Sequence, residues 1–166
     1  KRQSLMFSAT MPPQIKKLAE QILVEPKFVD LNFSKPAAEI DQKVYMVYEK
    51  DKMKLLLRTL AEHNGEKVII FVGKKQSVGE ISSFLRMNGL PNRPINSNFT
   101  QEERENAVLD FKSGKTSIIV TTNLLSRGID IDNVNLILNY DIPHKAEDYV
   151  HRIGRTARAG KDGLAI

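Results

Sequence analysis

Lys67-Val68-Ile69-Ile70-Phe71-Val72 decides the fold. An unbroken apolar run, rich in β-branched residues and without polar alternation, describes a strand buried on both faces. Such strands belong to parallel sheets covered by helices on either side. Ser117 to Thr121 and Asn135 to Tyr140 read the same way. The segments around them carry helical spacing. Asp51 caps a helix through Met53, Leu56, Leu57 and Leu60, and Ser77 with Glu80 forms a capping box for one through Val78, Ile81 and Leu85 that ends at Gly89. Thr100 with Glu103 starts another, through Val108 and Phe111, closed by Gly114. Strands alternating with helices at this rhythm mean βαβ units. The expected fold class is α/β, a parallel β-sheet flanked by helices on both faces in three α/β/α layers.

Toward the N-terminus, Gln3 to Phe7 reads as a strand, Pro12 and Pro13 open a helix with an Ile15, Leu18, Ala19, Ile22 stripe, and Lys27 to Asn32 reads as a second strand. Ser34-Lys35-Pro36 has linker composition, and Lys43 to Glu49 is strand-like by its β-branched and aromatic content. The two strands within 3–32 have no sheet of their own, so their edges are expected to favour a dimer of this chain. Toward the C-terminus, Lys145 to Thr156 reads as the last helix and Leu164 to Ile166 as the start of a strand that continues beyond the last residue.

Hydrophobic content of 41% and charged content of 27% over 166 residues fit a globular chain with a real core. A net charge of +5 favours an anionic partner only modestly. There is no cysteine, hence no disulfide framework, and the three histidines (His63, His144, His151) have no metal-site spacing. No apolar run reaches membrane-span length, and the first residues do not form a signal peptide. No membrane association and a cytoplasmic location are expected.

The chemistry gathers after strands, where open α/β sheets bind ligands. Thr122 to Asp130 combines hydroxyls, an Arg127-Gly128 turn and a carboxylate, a set suited to phosphates and a ribose. The same residues also fit an ordinary turn with Arg127 paired to Asp130. Gly114-Lys115-Thr116 imitates the end of a phosphate-binding loop but leads into a strand, and Leu109 stands where its first glycine belongs. Near the end of the chain, His151-Arg152-Ile153-Gly154-Arg155-Thr156-Ala157-Arg158 crowds three arginines among small residues. On a continuous helix His151, Arg155 and Arg158 would share one face, with Arg152 a quarter-turn away. Read alone, the run fits a solvated basic helix end as well as a phosphate site. Arginines without a phosphate loop point to a site shared with another domain, to which this one supplies an arginine finger.

In order, these stretches resemble the C-terminal helicase domain of DEAD-box RNA helicases, preceded by the end of their first domain, over essentially all 166 positions. Ser8-Ala9-Thr10 matches the Ser-Ala-Thr motif, Ile70-Phe71-Val72 the start of motif IV, and Gln101 with Arg104 the Gln-x-x-Arg pair. Thr122 to Asp130 matches motif V, Asn139-Tyr140-Asp141 the segment after it, and His151 to Arg158 motif VI. Six positions depart from the pattern: Gly73-Lys74 replace a polar residue and threonine, Asn96-Ser97 replace His-Gly, Asn123 replaces aspartate, and Ala157 replaces glycine.

The resemblance implies a RecA-like fold, with residues 1–33 ending the first, ATP-binding domain, 34–42 a linker, and 43–166 the second domain, truncated at its C-terminal end. It implies that Arg155 and Arg158 act catalytically on the ATP γ-phosphate and that Gly128 and Asp130 complete the nucleotide site. Phe71, Val72, Gly73, Arg104, Thr122 and Arg127 would serve RNA, as single strand or short duplex. Ser8, Thr10, His151 and Arg152 would couple the two RecA-like domains. ATP and Mg2+ would be held mainly by the first domain. The whole protein would be an ATP-dependent RNA helicase, while this chain, lacking a Walker A loop, would be inactive alone. Two other readings stay open: a non-catalytic nucleic-acid-binding module, and a DNA helicase or translocase of the same superfamily.

Overall fold

The computed structural model describes residues 3–8, 11, 13–29, 40–123, 131, 134–157 and 163–166. The chain divides into two units, Lys1–Lys35 and Pro36–Ile166. In the first unit, α1 (Pro13–Ile22) begins at the expected proline, and Lys16 lies over the Phe28 ring at 5.6 Å. Among the described residues the strands expected on either side of it do not form: residues 3–7 and 26–29 carry no sheet pairing, and 30–32 lie outside the described residues. Their apolar composition favours extended backbone, but a strand also needs a neighbour to pair with.

The second unit contains β1 (Ile40–Gln42), α2 (Lys52–Glu62), β2 (Val68–Phe71), α3 (Lys75–Met87), β3 (Arg93–Ile95), α4 (Gln101–Lys112), β4 (Ile118–Thr121), β5 (Leu136–Asn139), α5 (Ala146–Ile153) and β6 (Gly163–Ala165). The six strands form one sheet in the order β1-β6-β5-β2-β4-β3, and every pairing is parallel. β2 is central, and all four of its residues are buried, as its composition requires. Its side chains alternate between two cores. Ile69 and Phe71 pack with Ile119, Ile137, Phe111 of α4 and Ile153 of α5. Val68, Ile70 and Val72 pack with Val120 and Leu138, under Leu56 and Leu60 of α2 and Val78, Ile81 and Leu85 of α3. Helices therefore cover both faces, the three layers that the sequence predicts. Among the described residues no helix is long and apolar enough to cross a membrane.

The Thr100–Glu103 capping box is present in both directions at the start of α4. The one assigned to Ser77 and Glu80 is not, because α3 begins earlier, at Lys75, with an extended Lys74 before it. The chain leaves β2 directly into that helix, and Val78, Ile81 and Leu85 reach the sheet without help from the serine. Asp51 precedes α2 but makes no side-chain cap. Lys43–Glu49 is not a strand. The residues that pair with β6 are Ile40–Gln42, at the end of the segment read as linker, and the ladder closes where Lys43 N donates to Ala165 O at 2.8 Å. β3, absent from the sequence reading, contains Pro94, which an edge strand tolerates because one side of its backbone needs no donor.

Candidate functional site

The chain leaves β4, β2 and β5, three adjacent strands, at Thr122-Asn123, Val72-Gly73 and Tyr140-Asp141. These carboxyl ends open into a cleft of about 850 Å³ whose walls include Gly73, Lys74, Thr122, Asp141, Lys145 and Arg152. β3 and β4 lie to one side of β2, β5 and β6 to the other, so the chain diverges here and leaves the crevice that such sheets use for ligands.

Arg152 anchors the floor. It is 2% exposed, and its guanidinium lies 5.0 Å from the centre of the buried Phe71 ring. Its Nε and Nη2 both donate to Asn123 Oδ1, at 2.8 and 2.5 Å. Its Nη1 donates to Asn139 Oδ1 at 3.1 Å and to the Asp141 carbonyl at 2.8 Å. One planar fork therefore ties α5 to the ends of β4 and β5, a geometry that lysine cannot reproduce. Burial pushes its pKa below the ordinary value, opposed by the charges of Asp148 and Asp141. Asn123 explains its own departure from the family pattern. Its oxygen accepts from Arg152 while its Nδ2 donates to Asp148 Oδ2 at 3.2 Å, and an aspartate could accept but not donate.

A second set of bonds holds the β2 exit. The Gly73 N–H donates to Asp141 Oδ2 at 2.8 Å. Asp141 Oδ1 takes Lys52 Nζ at 3.3 Å, and Lys52 also reaches Glu49 Oε2 at 3.0 Å and lies 5.1 Å from the centre of the Tyr140 ring. Burial works to lower the Lys52 ammonium, but the bonds to Glu49 and Asp141 outweigh it and hold its pKa above the usual 10.5.

The structure thus brings Gly73, Thr122 and Arg152 to one cleft. Phe71 and Val72 are 0% and 1% exposed, so Gly73 and Lys74 offer most of the accessible surface of this stretch, with Val72 beside them in the cleft wall. Arg104 is half-buried on α4, does not line the cleft, and donates from Nε to the Phe99 carbonyl at 3.1 Å, bracing the loop before that helix. Lys75 Nζ ties the same loop to α3 through Asn98 Oδ1 at 3.4 Å. His151 lies on α5, but α5 ends at Ile153, so Arg155 follows it in a turn and shares no continuous helical face with His151. Gly154 and Thr156 interrupt the helix, Thr156 by donating to the Val134 carbonyl at 2.5 Å and bridging to that residue. Ser8 is exposed in the first unit. Thr10, Arg127, Gly128, Asp130 and Arg158 lie outside the described residues. The sequence does not mark Asn139, Asp148 and Lys52 as site residues, because only the fold brings them to Arg152 and Asp141. Among the described residues no cluster of three or more His, Asp or Glu could hold a metal ion.

A cleft at the carboxyl ends of a RecA-like sheet, floored by a motif VI arginine, defines a helicase-type domain. The chain belongs to the helicase conserved C-terminal domain family, matched over residues 51–160. Its homology to DEAD-box ATP-dependent RNA helicases runs along the whole chain. It is 40% identical over 166 residues to the probable ATP-dependent RNA helicase DDX23 of Homo sapiens, covering 99% of this chain and 20% of that protein. It superposes on S. cerevisiae Dbp5 bound to RNA and ADP BeF3 with a TM-score of 0.79 at 30% identity, covering 96% of this chain and 43% of that one. With E. coli SrmB bound to the regulator RraA the TM-score is 0.67 at 37% identity, covering 70% and 69%. The chain thus spans only about a fifth of the length of DDX23.

Proposed function

We propose that this chain contributes the C-terminal half of the core of an ATP-dependent RNA helicase that grips the RNA backbone and couples ATP hydrolysis to local duplex unwinding. The observation that carries the proposal is the convergence of Gly73, Thr122 and the Arg152-bearing helix α5 on one cleft at the sheet's carboxyl edge. A hydroxyl and lysines suit phosphates and read no bases. On this reading Gly73 and Thr122 contact the strand, a role the family resemblance also gives Arg127, while Arg104 braces the neighbouring loop and Phe71 and Val72 fix where Gly73 lies. Arg152 couples the domains indirectly, by holding the helix that carries His151 and leads to Arg155; Ser8 and Thr10 belong to the other side of that coupling.

ATP with Mg2+, when bound by the first domain, supplies the phosphoryl group whose hydrolysis is coupled to opening and closing. Arg155 and Arg158 meet its γ-phosphate on closure, and Gly128 and Asp130 complete the nucleotide side. An arginine finger is worth about 10³–10⁵ in turnover. In the whole protein, Arg155→Ala is therefore expected to cut RNA-stimulated ATPase at least about a hundredfold while RNA binding persists. Unchanged turnover would sink the assignment. The 166-residue chain alone, with no phosphate-binding loop in its sequence, is the blank in that assay and is expected to show no hydrolysis.

A non-catalytic nucleic-acid-binding module would use the same cleft, and it predicts no RNA-stimulated turnover in the whole protein. A DNA-directed relative would be stimulated equally by DNA. Self-association through residues 3–32 is proposed on the exposed side chains of Leu5, Phe7, Val24 and Val29, not on strand pairing.

A further inference from the structure

Among the described residues, Asp141 joins three parts of the cleft: the exit of β2, the start of α2 and helix α5. Its carboxylate accepts the Gly73 N–H through Oδ2 and Lys52 through Oδ1, and its carbonyl accepts from Arg152. Its own N–H donates to the Phe71 carbonyl at 3.3 Å. A Cβ built on Gly73 would lie 3.4 Å from Asp141 Oδ2, which places the carboxylate directly against this main chain. Without that bond the chain after β2 has no side-chain tether at Gly73, and no side chain caps the start of α3 at Lys74.

We infer that Asp141 is a positioning residue for nucleic-acid binding: it sets the direction of the Gly73-Lys74 main chain, and Lys52 holds its carboxylate in place. The inference rests on the reading of this cleft as an RNA-backbone site. A hydrogen bond to a charged acceptor is roughly twice as strong as a neutral one, so the glycine N–H is well fixed only while the carboxylate is present. Lys52 adds its own constraint, pinned by Glu49 on one side and the Tyr140 ring on the other. The bond from Arg152 uses the Asp141 carbonyl and not its side chain. Side-chain substitutions at 141 therefore leave the link to α5 intact, and the effect should fall on RNA affinity and spare the chemical step.

The test uses the full-length protein, with a single-stranded oligoribonucleotide as probe and ATPase as readout. Asp141→Ala is expected to raise the RNA concentration for half-maximal stimulation by about ten- to a hundredfold. Turnover at saturating RNA and the KM for ATP should stay within about twofold of wild type. Asp141→Asn keeps a neutral acceptor oxygen for Gly73 and should recover part of the loss, while Lys52→Met should produce a rise of about threefold. An unchanged half-stimulating concentration in Asp141→Ala would overturn the inference, as would a loss confined to saturating turnover or equal losses in the alanine and asparagine variants. Should Asp141→Ala fail to fold, Lys52→Met decides: a rise supports the inference and no rise overturns it. Wild-type protein that RNA does not stimulate would remove the functional reading itself, whereas stimulated wild type with an unaltered Asp141→Ala removes only the role of Asp141.

Discussion

Replacing Arg152 by lysine would keep the charge and lose the fork. Three acceptors meet the guanidinium, Asn123 Oδ1, Asn139 Oδ1 and the Asp141 carbonyl, and one ammonium cannot serve all three from the same place. Each buried acceptor left without a donor costs about 1–3 kcal/mol. Arg152→Lys is therefore expected to lower unfolding stability by about that amount, measured by urea denaturation, where an exposed Arg58→Lys should change little. The motif resemblance gives Arg152 and Arg155 different roles but says nothing of their burial. Their environments separate them, since Arg152 is 2% exposed and tied inward while Arg155 lies in the half-buried turn beyond the helix. A sequence shows that a charged residue is present. Whether the charge is buried depends on three strands that end beside it.

At the scale of elements, the same four-residue signal occurs twice with different consequences. Thr100 accepts from the Glu103 N–H at 3.2 Å and its own N–H donates to Glu103 Oε2 at 2.7 Å, so Thr100→Ala should destabilise the domain by about 0.5–2 kcal/mol. Ser77 lies inside the first turn of α3 and caps nothing, so Ser77→Ala should stay within about 0.5 kcal/mol of wild type. Parallel urea titrations of the two variants check the contrast, and equal losses would contradict it. The difference was not legible in the sequence, because a capping box reports local preference while the start of α3 follows from how the chain exits β2. Lys43–Glu49 shows the same limit: its composition favours extended backbone, yet the sheet takes its edge strand from Ile40–Gln42.

At the scale of the whole molecule, every member of both core clusters lies at Ile40 or later. The second unit carries its own core, so a chain of residues 36–166 is expected to unfold in urea at the same midpoint as the full 166 residues. A lower midpoint would show that the first unit contributes to the fold of the second. By itself the sequence determined the layering: unbroken apolar strands alternating with amphipathic helices can bury their surface only as a parallel sheet covered on both sides. It also determined the family, through motif residues whose order along the chain is visible without coordinates. Only the tertiary structure decided which side chains meet at the cleft. Asn123, Asp141, Arg152 and Lys52 are far apart in sequence and come from a loop, a strand end and two helices. No local periodicity encodes their convergence. It follows from strand order, which places β4, β2 and β5 side by side so that Arg152 meets the carboxyl ends of all three and Asp141 joins those of β5 and β2.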